Sequence, residues 1–255
     1  MKKLYYLIVM SALVLAACQP KQELMADLIK DRLDRSVEHY LLMAESLRDR
    51  PDRLPRSFEE GELVTSNSSW WCSGFVAGSL WYLYEYTQST TLLDDARNYT
   101  ARVEKEKYNT ETHDLGFMLY CSFGNGYRLT GDTAYRNIML VGAESLISRF
   151  NPAVGCIQSW GGTLNWQFPV IIDNMMNLEF LFWASKASGD PKYRDICISH
   201  ADVTIENHFR SDYSSYHVVS YDPVSGEVER KIRIRDTQTN RHGQEDRRGV
   251  FMVLW

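Results

Sequence analysis

Two textures alternate along this chain. Across residues 22–49 the apolar positions Leu24, Leu28, Leu33, Val37 and Leu41 return at roughly helical spacing, with charge on the other face. That pattern predicts one long amphipathic helix. A Ser57-x-x-Glu60 spacing in the segment that follows reads as a helix-capping box. From residue 70 the texture changes. Residues 74–86 are apolar on nearly every side and predict a helix buried on several faces. Residues 91–106 are amphipathic and more charged, which predicts an outer partner. The same alternation follows twice more, as 115–129 with 133–149 and as 174–188 with 191–207. Beyond residue 210 the helical period fades. Residues 216–221 read as extended chain, Asp222-Pro223 as a turn, and 228–235 as the partner strand of a small hairpin.

The turns between partners carry a repeat. Thr130-Gly131-Asp132-Thr133-Ala134-Tyr135-Arg136 closely matches Ser188-Gly189-Asp190-Pro191-Lys192-Tyr193-Arg194, without a gap. Each has a glycine suited to a helix C-terminus, then an aspartate suited to an N-cap; Pro191 is tolerated at a first helical position. Inner and outer helices repeating at this period predict an α/α toroid or an α-solenoid, and the apolar inner helices favour a closed ring.

Two carboxylates fall in step with the repeat. Asp114 and Asp173 are separated by nearly the same offset as the two turns, and each opens an inner helix. Asp114 precedes the capping Asp132 by almost the same stretch of chain as Asp173 precedes Asp190. A ring would bring both to the same end. Such a pair suits acid–base chemistry, because one carboxyl can hold a proton while the other stays charged. The plain alternative is that both are N-caps satisfying orphan amides. His113 beside one, Asn174 beside the other, and Trp70, Trp71, Trp160 and Trp166 just upstream of inner helices argue for a site, since aromatic rings stack on sugar faces.

Composition narrows the partners. The chain has 255 residues, 44% of them hydrophobic, enough for one core, and no linker divides it. Its net charge is −5 and no basic stripe covers a face, so nucleic acid is not an expected partner. Cys72, Cys121, Cys156 and Cys197 form no CxxC and read as free structural thiols. The histidines show no metal-ligand spacing, so neither metal nor cofactor is expected. Lys2 and Lys3 precede an apolar run ending in Leu15-Ala16-Ala17-Cys18. Residues 1–17 therefore read as a lipoprotein signal peptide, with Cys18 the lipidated residue. That predicts a bacterial periplasmic or cell-surface protein whose only membrane contact is its lipid.

Several segments together resemble the unsaturated glucuronyl hydrolases of glycoside hydrolase family 88. They are Trp71-Cys72-Ser73-Gly74-Phe75, His113-Asp114-Leu115-Gly116-Phe117, Ile157-Gln158-Ser159-Trp160, and the run from Trp166-Gln167-Phe168-Pro169 through Asp173-Asn174-Met175-Met176-Asn177-Leu178. Leu181-Phe182-Trp183-Ala184-Ser185, His200-Ala201 and Arg210-Ser211-Asp212-Tyr213-Ser214-Ser215-Tyr216-His217-Val218-Val219 continue the match, which spans about residues 25–238. The resemblance implies an all-α (α/α)6 barrel. It implies an enzyme that hydrates the C4–C5 double bond of a terminal 4,5-unsaturated uronic acid left on an oligosaccharide by a polysaccharide lyase. Asp173 then matches the general acid/base and Asp114 a second proton-handling or charge-stabilising group. Trp71, His113, Trp160, Asn174 and His217 match positions lining the substrate pocket. From about residue 240 to 255 the match stops. That implies residues 18–255 form a partial barrel lacking its last helices, with 240–255 off the family pattern. An unsaturated rhamnogalacturonyl hydrolase acting on pectin fragments, and an inactive remnant or sugar-binding lipoprotein, are the competing readings.

Overall fold

The computed structural model describes residues 25–163 and 166–232. The expected signal peptide, the lipidated Cys18 and the segment 240–255 lie outside the described residues. Contacts divide the chain into Met1–Leu41 and Leu42–Trp255. What is described of the first unit is helical: α1 runs Met25–Ser46 and continues into the second unit. Lys30 pairs with Asp34, and Arg35 with Asp31, one turn apart on its surface. No helix among the described residues is long and apolar enough to cross a membrane.

The second unit opens on a hairpin that the sequence reading missed. β1 (Leu54–Glu59) pairs antiparallel with β2 (Glu62–Ser66). Glu60 and Gly61 form its two-residue loop, both with positive φ, as this tight hairpin turn needs. The expected capping box is thereby overturned. Ser57 lies on β1 and its hydroxyl donates to Glu59, because a turn that reverses the chain leaves no helix for Glu60 to cap.

Three helix pairs follow, close to the predicted limits. α2 (Phe75–Thr87) turns into α3 (Thr90–Ala101), with a 3-10 turn at Glu104–Tyr108 behind it. In the second pair the inner segment starts as a π-helix, Gly116–Gly124, and continues as α4 (Asn125–Thr130); its outer partner is α5 (Thr133–Ile147). In the third a 3-10 turn, Ile172–Asn177, leads into α6 (Leu178–Ser188), and α7 (Lys192–His208) is the outer helix. The two matched turns work alike. Gly131 and Gly189 take positive φ and return their amides to Tyr127 and Ser185. The Asp132 and Asp190 carboxylates accept from the amides of Ala134 and Lys192, each at 2.9 Å.

Inner helices pack on one another in chain order. Gly74 permits this, because a Cβ there would overlap the Met118 carbonyl oxygen. Trp81, Leu80, Met118, Leu119 and Phe180 are buried, and the Trp81 indole donates to Thr100 at 2.9 Å. Burial is not all-round, however. Tyr82, Tyr86 and Phe182 stand 59%, 40% and 46% exposed. These rings leave one side of α2 and one side of α6 open.

Short strands lie between the second and third pairs and after the third. β3 (Phe150–Asn151) pairs with β4 (Cys156–Ile157). β5 (Phe168–Ile171), β6 (Val218–Tyr221) and β7 (Val228–Ile232) form an antiparallel sheet in that order. The β6–β7 hairpin is the expected one; β5 is an addition. Its Val170 packs with Cys156, Val219 and Tyr221 in a small core of its own. Cys72, Cys121, Cys156 and Cys197 are free.

Candidate active site

Asp114 and Asp173 come together at the starts of the second and third inner segments. His113 lies between them: Nε2 is 3.1 Å from Asp114 Oδ1 and 4.0 Å from Asp173 Oδ1. Neither carboxylate is an N-cap. The Asp114 carboxylate accepts from the Thr112 hydroxyl, while only its backbone carbonyl serves the helix, accepting from Met118. Asp173 Oδ1 is buried with no hydrogen-bond partner among the described residues. The N-cap alternative therefore fails for both, and each side chain is available for another task.

The two segments are stitched together directly. The Asn177 side chain, one turn beyond Asp173, accepts from the Phe117 amide at 3.1 Å. Gly116 makes this approach possible, since a Cβ there would stand 2.9 Å from Asn177 Cα. Asp173 is also anchored through its chain neighbours. Ile171 N–H donates to Ser159 Oγ, and Ile172 N–H to the His217 carbonyl, each at 2.9 Å. On the other side, Arg149 donates from Nε to the Gln158 carbonyl and from Nη1 to the Thr110 carbonyl, tying the loop before His113 to β4.

Electrostatics bear on Asp173. Burial pushes the Asp173 carboxyl above the ordinary aspartate range. His113 pulls it back, Asp114 pushes it further up, and His217 pulls it back. Burial holds the His217 imidazole below its usual range, against the pull of Asp173. Asp173 is thus a carboxyl suited to retaining a proton, with a second carboxylate and two imidazoles around it.

The remaining expected residues divide. Trp71 stands on the turn before α2, its ring edge-on to Phe75 at 5.5 Å and to Phe117 at 6.0 Å. The Phe117 contact places this turn against the segment that Asp114 opens. Trp160 is 37% exposed on the loop after Ser159. Asn174 is different: it is fully buried, and its amide donates to the Ile157 carbonyl at 2.9 Å. The structure puts it behind the acids, holding β4, rather than on an open wall. The residues that sequence reasoning missed are Thr112, Ser159, Asn177 and Gly116. Only Thr112, two residues before an aspartate, carried a local signal.

His113, Asp114 and Asp173 offer one nitrogen and two oxygens within 4.8 Å of one another, a donor set a cation could use. The 3.1 Å contact of His113 with Asp114 is equally that of a hydrogen bond.

Residues 46–246 match the family model described as Glycosyl Hydrolase Family 88. The chain belongs to that family. A family 88 relative from Formosa agariphila, named unsaturated glucuronyl hydrolase, is 43% identical over 184 residues, covering 71% of this chain and 46% of its own. An unsaturated chondroitin disaccharide hydrolase from Streptococcus pneumoniae is 34% identical over 178 residues, covering 68% and 44%. The crystal structure of an unsaturated glucuronyl hydrolase specific for heparin superposes with a TM-score of 0.72 at 44% identity, covering 78% of this chain and 54% of that one. The chain spans about half the length of the curated relatives it matches. Its helix pairs are those of the (α/α)6 barrel of family 88.

Proposed function

We propose that this family 88 chain removes the terminal 4,5-unsaturated uronic acid from oligosaccharides released by polysaccharide lyases, glycosaminoglycan disaccharides foremost. The observation that carries the reading is the half-buried, proton-retaining Asp173 set against His113 and Asp114. The C4–C5 bond of such a sugar is an enol ether. Asp173 gives its proton to C4, and the electron deficiency falls on C5 and the ring oxygen as an oxocarbenium ion. The Asp114 carboxylate stabilises that charge. Asp173, now an anion, takes a proton from water as its oxygen bonds to C5. The resulting C5 hemiketal opens to a ketone. This leaves a hemiacetal at C1, which collapses to an aldehyde and releases the aglycone alcohol. One water is consumed and Asp173 ends protonated, ready for the next turnover. Trp71 and Trp160 supply stacking surface and His217 a polar contact to the sugar, while His113, buried against Asp114, orients the acid pair.

The relatives' names motivate the substrate class: one is named for chondroitin disaccharides, one solved structure is called specific for heparin. The test is loss of the ultraviolet absorbance of the conjugated double bond when the protein meets an unsaturated chondroitin or heparin disaccharide. Wild type should bleach it and Asp173→Asn should not. A folded wild type that leaves both disaccharides intact would sink the proposal. We further infer from Leu15-Ala16-Ala17-Cys18 that Cys18 is lipidated and holds the protein to a bacterial membrane. Cys18→Ser should move it from the membrane fraction to the soluble one.

A further inference from the structure

β4 is only two residues long and, among the described residues, pairs with β3 alone. So short a strand has little to hold it in place. Yet the backbone of its last residue is gripped on both sides, at N–H and at C=O, by side chains from elsewhere. Ile157 N–H donates to His200 Nδ1 at 3.0 Å, from the middle of α7. Ile157 C=O accepts from Asn174 Nδ2 at 2.9 Å, from the 3-10 turn that carries Asp173. Ile157, His200 and Asn174 are all fully buried. Two residues on, Ser159 Oγ accepts from Ile171 N–H. The 157–159 segment therefore holds residues 171 and 174, which bracket Asp173.

We propose that His200 is a positioning residue for Asp173. It fixes the Ile157 backbone at its N–H, and the Ile157 carbonyl, through Asn174, fixes the turn from which the Asp173 carboxyl projects. The proposal deepens the hydration reading above and rests on it for its catalytic part. The geometry dictates the tautomer. A nitrogen that accepts from an amide must offer its lone pair, so Nδ1 is bare and the proton sits on Nε2. An imidazolium would set two donors against each other. Burial, with His208 and His113 adding, pushes His200 down to about 3, so the accepting form persists across the working range.

A histidine that merely fills space would tolerate any side chain of its size. A positioning histidine distinguishes two. In Asn, Oδ1 lies where His Nδ1 lay and restores the acceptor; in Gln, Oε1 lies where Nε2 lay and does not. H200N should keep kcat within about threefold of wild type, while H200Q should lose about 10²-fold in kcat with little change in KM. The titration of the Asp173 carboxyl, followed by ¹³C NMR, should stay raised in H200N and fall toward the ordinary aspartate range in H200Q. This second measurement needs no turnover. If wild type does not act on the disaccharides, the hydration reading fails, and the carboxyl titration still decides the positioning role. Should H200Q not fold, Asn174→Ala breaks the other half of the grip and must shift Asp173 in the same direction. Equal behaviour of H200N and H200Q, or an unmoved Asp173 in H200Q or Asn174→Ala, overturns the proposal.

Discussion

Gly116→Ala is the sharpest probe of how the two acids are held together. Helix propensity alone makes it a stabilising change, by up to about 1 kcal/mol. The structure gives the opposite sign. The new methyl would lie 2.6 Å from Asn177 Oδ1 and 2.9 Å from Asn177 Cα. The amide can swing aside, but the Cα belongs to the backbone of the turn behind Asp173. It stands about 0.5 Å inside the distance at which ordinary contact begins. Overpacking of this kind costs about 1–3 kcal/mol, and the weakened Phe117–Asn177 hydrogen bond adds about 1 more. Against the propensity gain, a net loss of roughly 1–3 kcal/mol remains, or about 3–10 °C in Tm for a chain of this size. The same movement parts Asp114 from Asp173, so turnover should fall about 10- to 100-fold even well below the melt. Calorimetry, and disaccharide bleaching at a temperature where the variant is fully folded, check both halves. A variant that melts higher than wild type, or turns over at the wild-type rate, would refute the stitched-pair account.

Charge changes around Asp173 should move the alkaline limb of the pH–rate profile in opposite directions: Asp114→Asn removes a charge that raises Asp173 and shifts the limb down, while His217→Asn removes one that lowers it and shifts the limb up. Asp173→Asn should melt higher than wild type at pH 7. A carboxyl raised by burial contributes its stability below its unfolded value of 3.8 and loses it as pH rises through the folded value, so the advantage should vanish near pH 3 in paired calorimetric scans. His200 and His208 run the other way. With folded values of about 3 and about 4 against 6.5, their neutral forms stabilise the fold above pH 6.5 and that contribution drains away as acid is added. The loss is roughly 3–5 kcal/mol apiece, so His208→Asn should flatten the fall of Tm between pH 6.5 and 4.

The helix pairs were legible because their turns are chemically explicit. Gly131-Asp132 and Gly189-Asp190 each supply a left-handed residue and a capping carboxylate, and both act as their spacing foretold. The acid pair was legible because it keeps step with those turns. What joins the acids was not. Ser159, Asn177 and His200 work across 12, 60 and 43 residues, and no local pattern marks a side chain whose partner is that far away. β5 was hidden for the same reason, since its strand partner among the described residues is β6, which comes after the whole third helix pair. The misread Ser57-x-x-Glu60 shows the converse: a four-residue match meant nothing once Glu60-Gly61 turned the chain back on itself.

The π-winding of Gly116–Gly124 explains a discrepancy in the arithmetic of the repeat. The stretch from Asp114 to Asp132 is longer, by a single residue, than the stretch from Asp173 to Asp190. A loop could have absorbed the surplus, but both turns are alike and neither has room to spare. A π-helix closes its hydrogen bonds one residue later than an α-helix and so takes up extra chain within the same rod. The odd residue is hidden inside the wall, and both ends of the segment stay in phase with its neighbour. Removing one residue from 117–123 should therefore rewind the segment as ordinary α-helix with its acid and its turn still in place, whereas the same deletion in Leu178–Ser188 would drag one of them out of line.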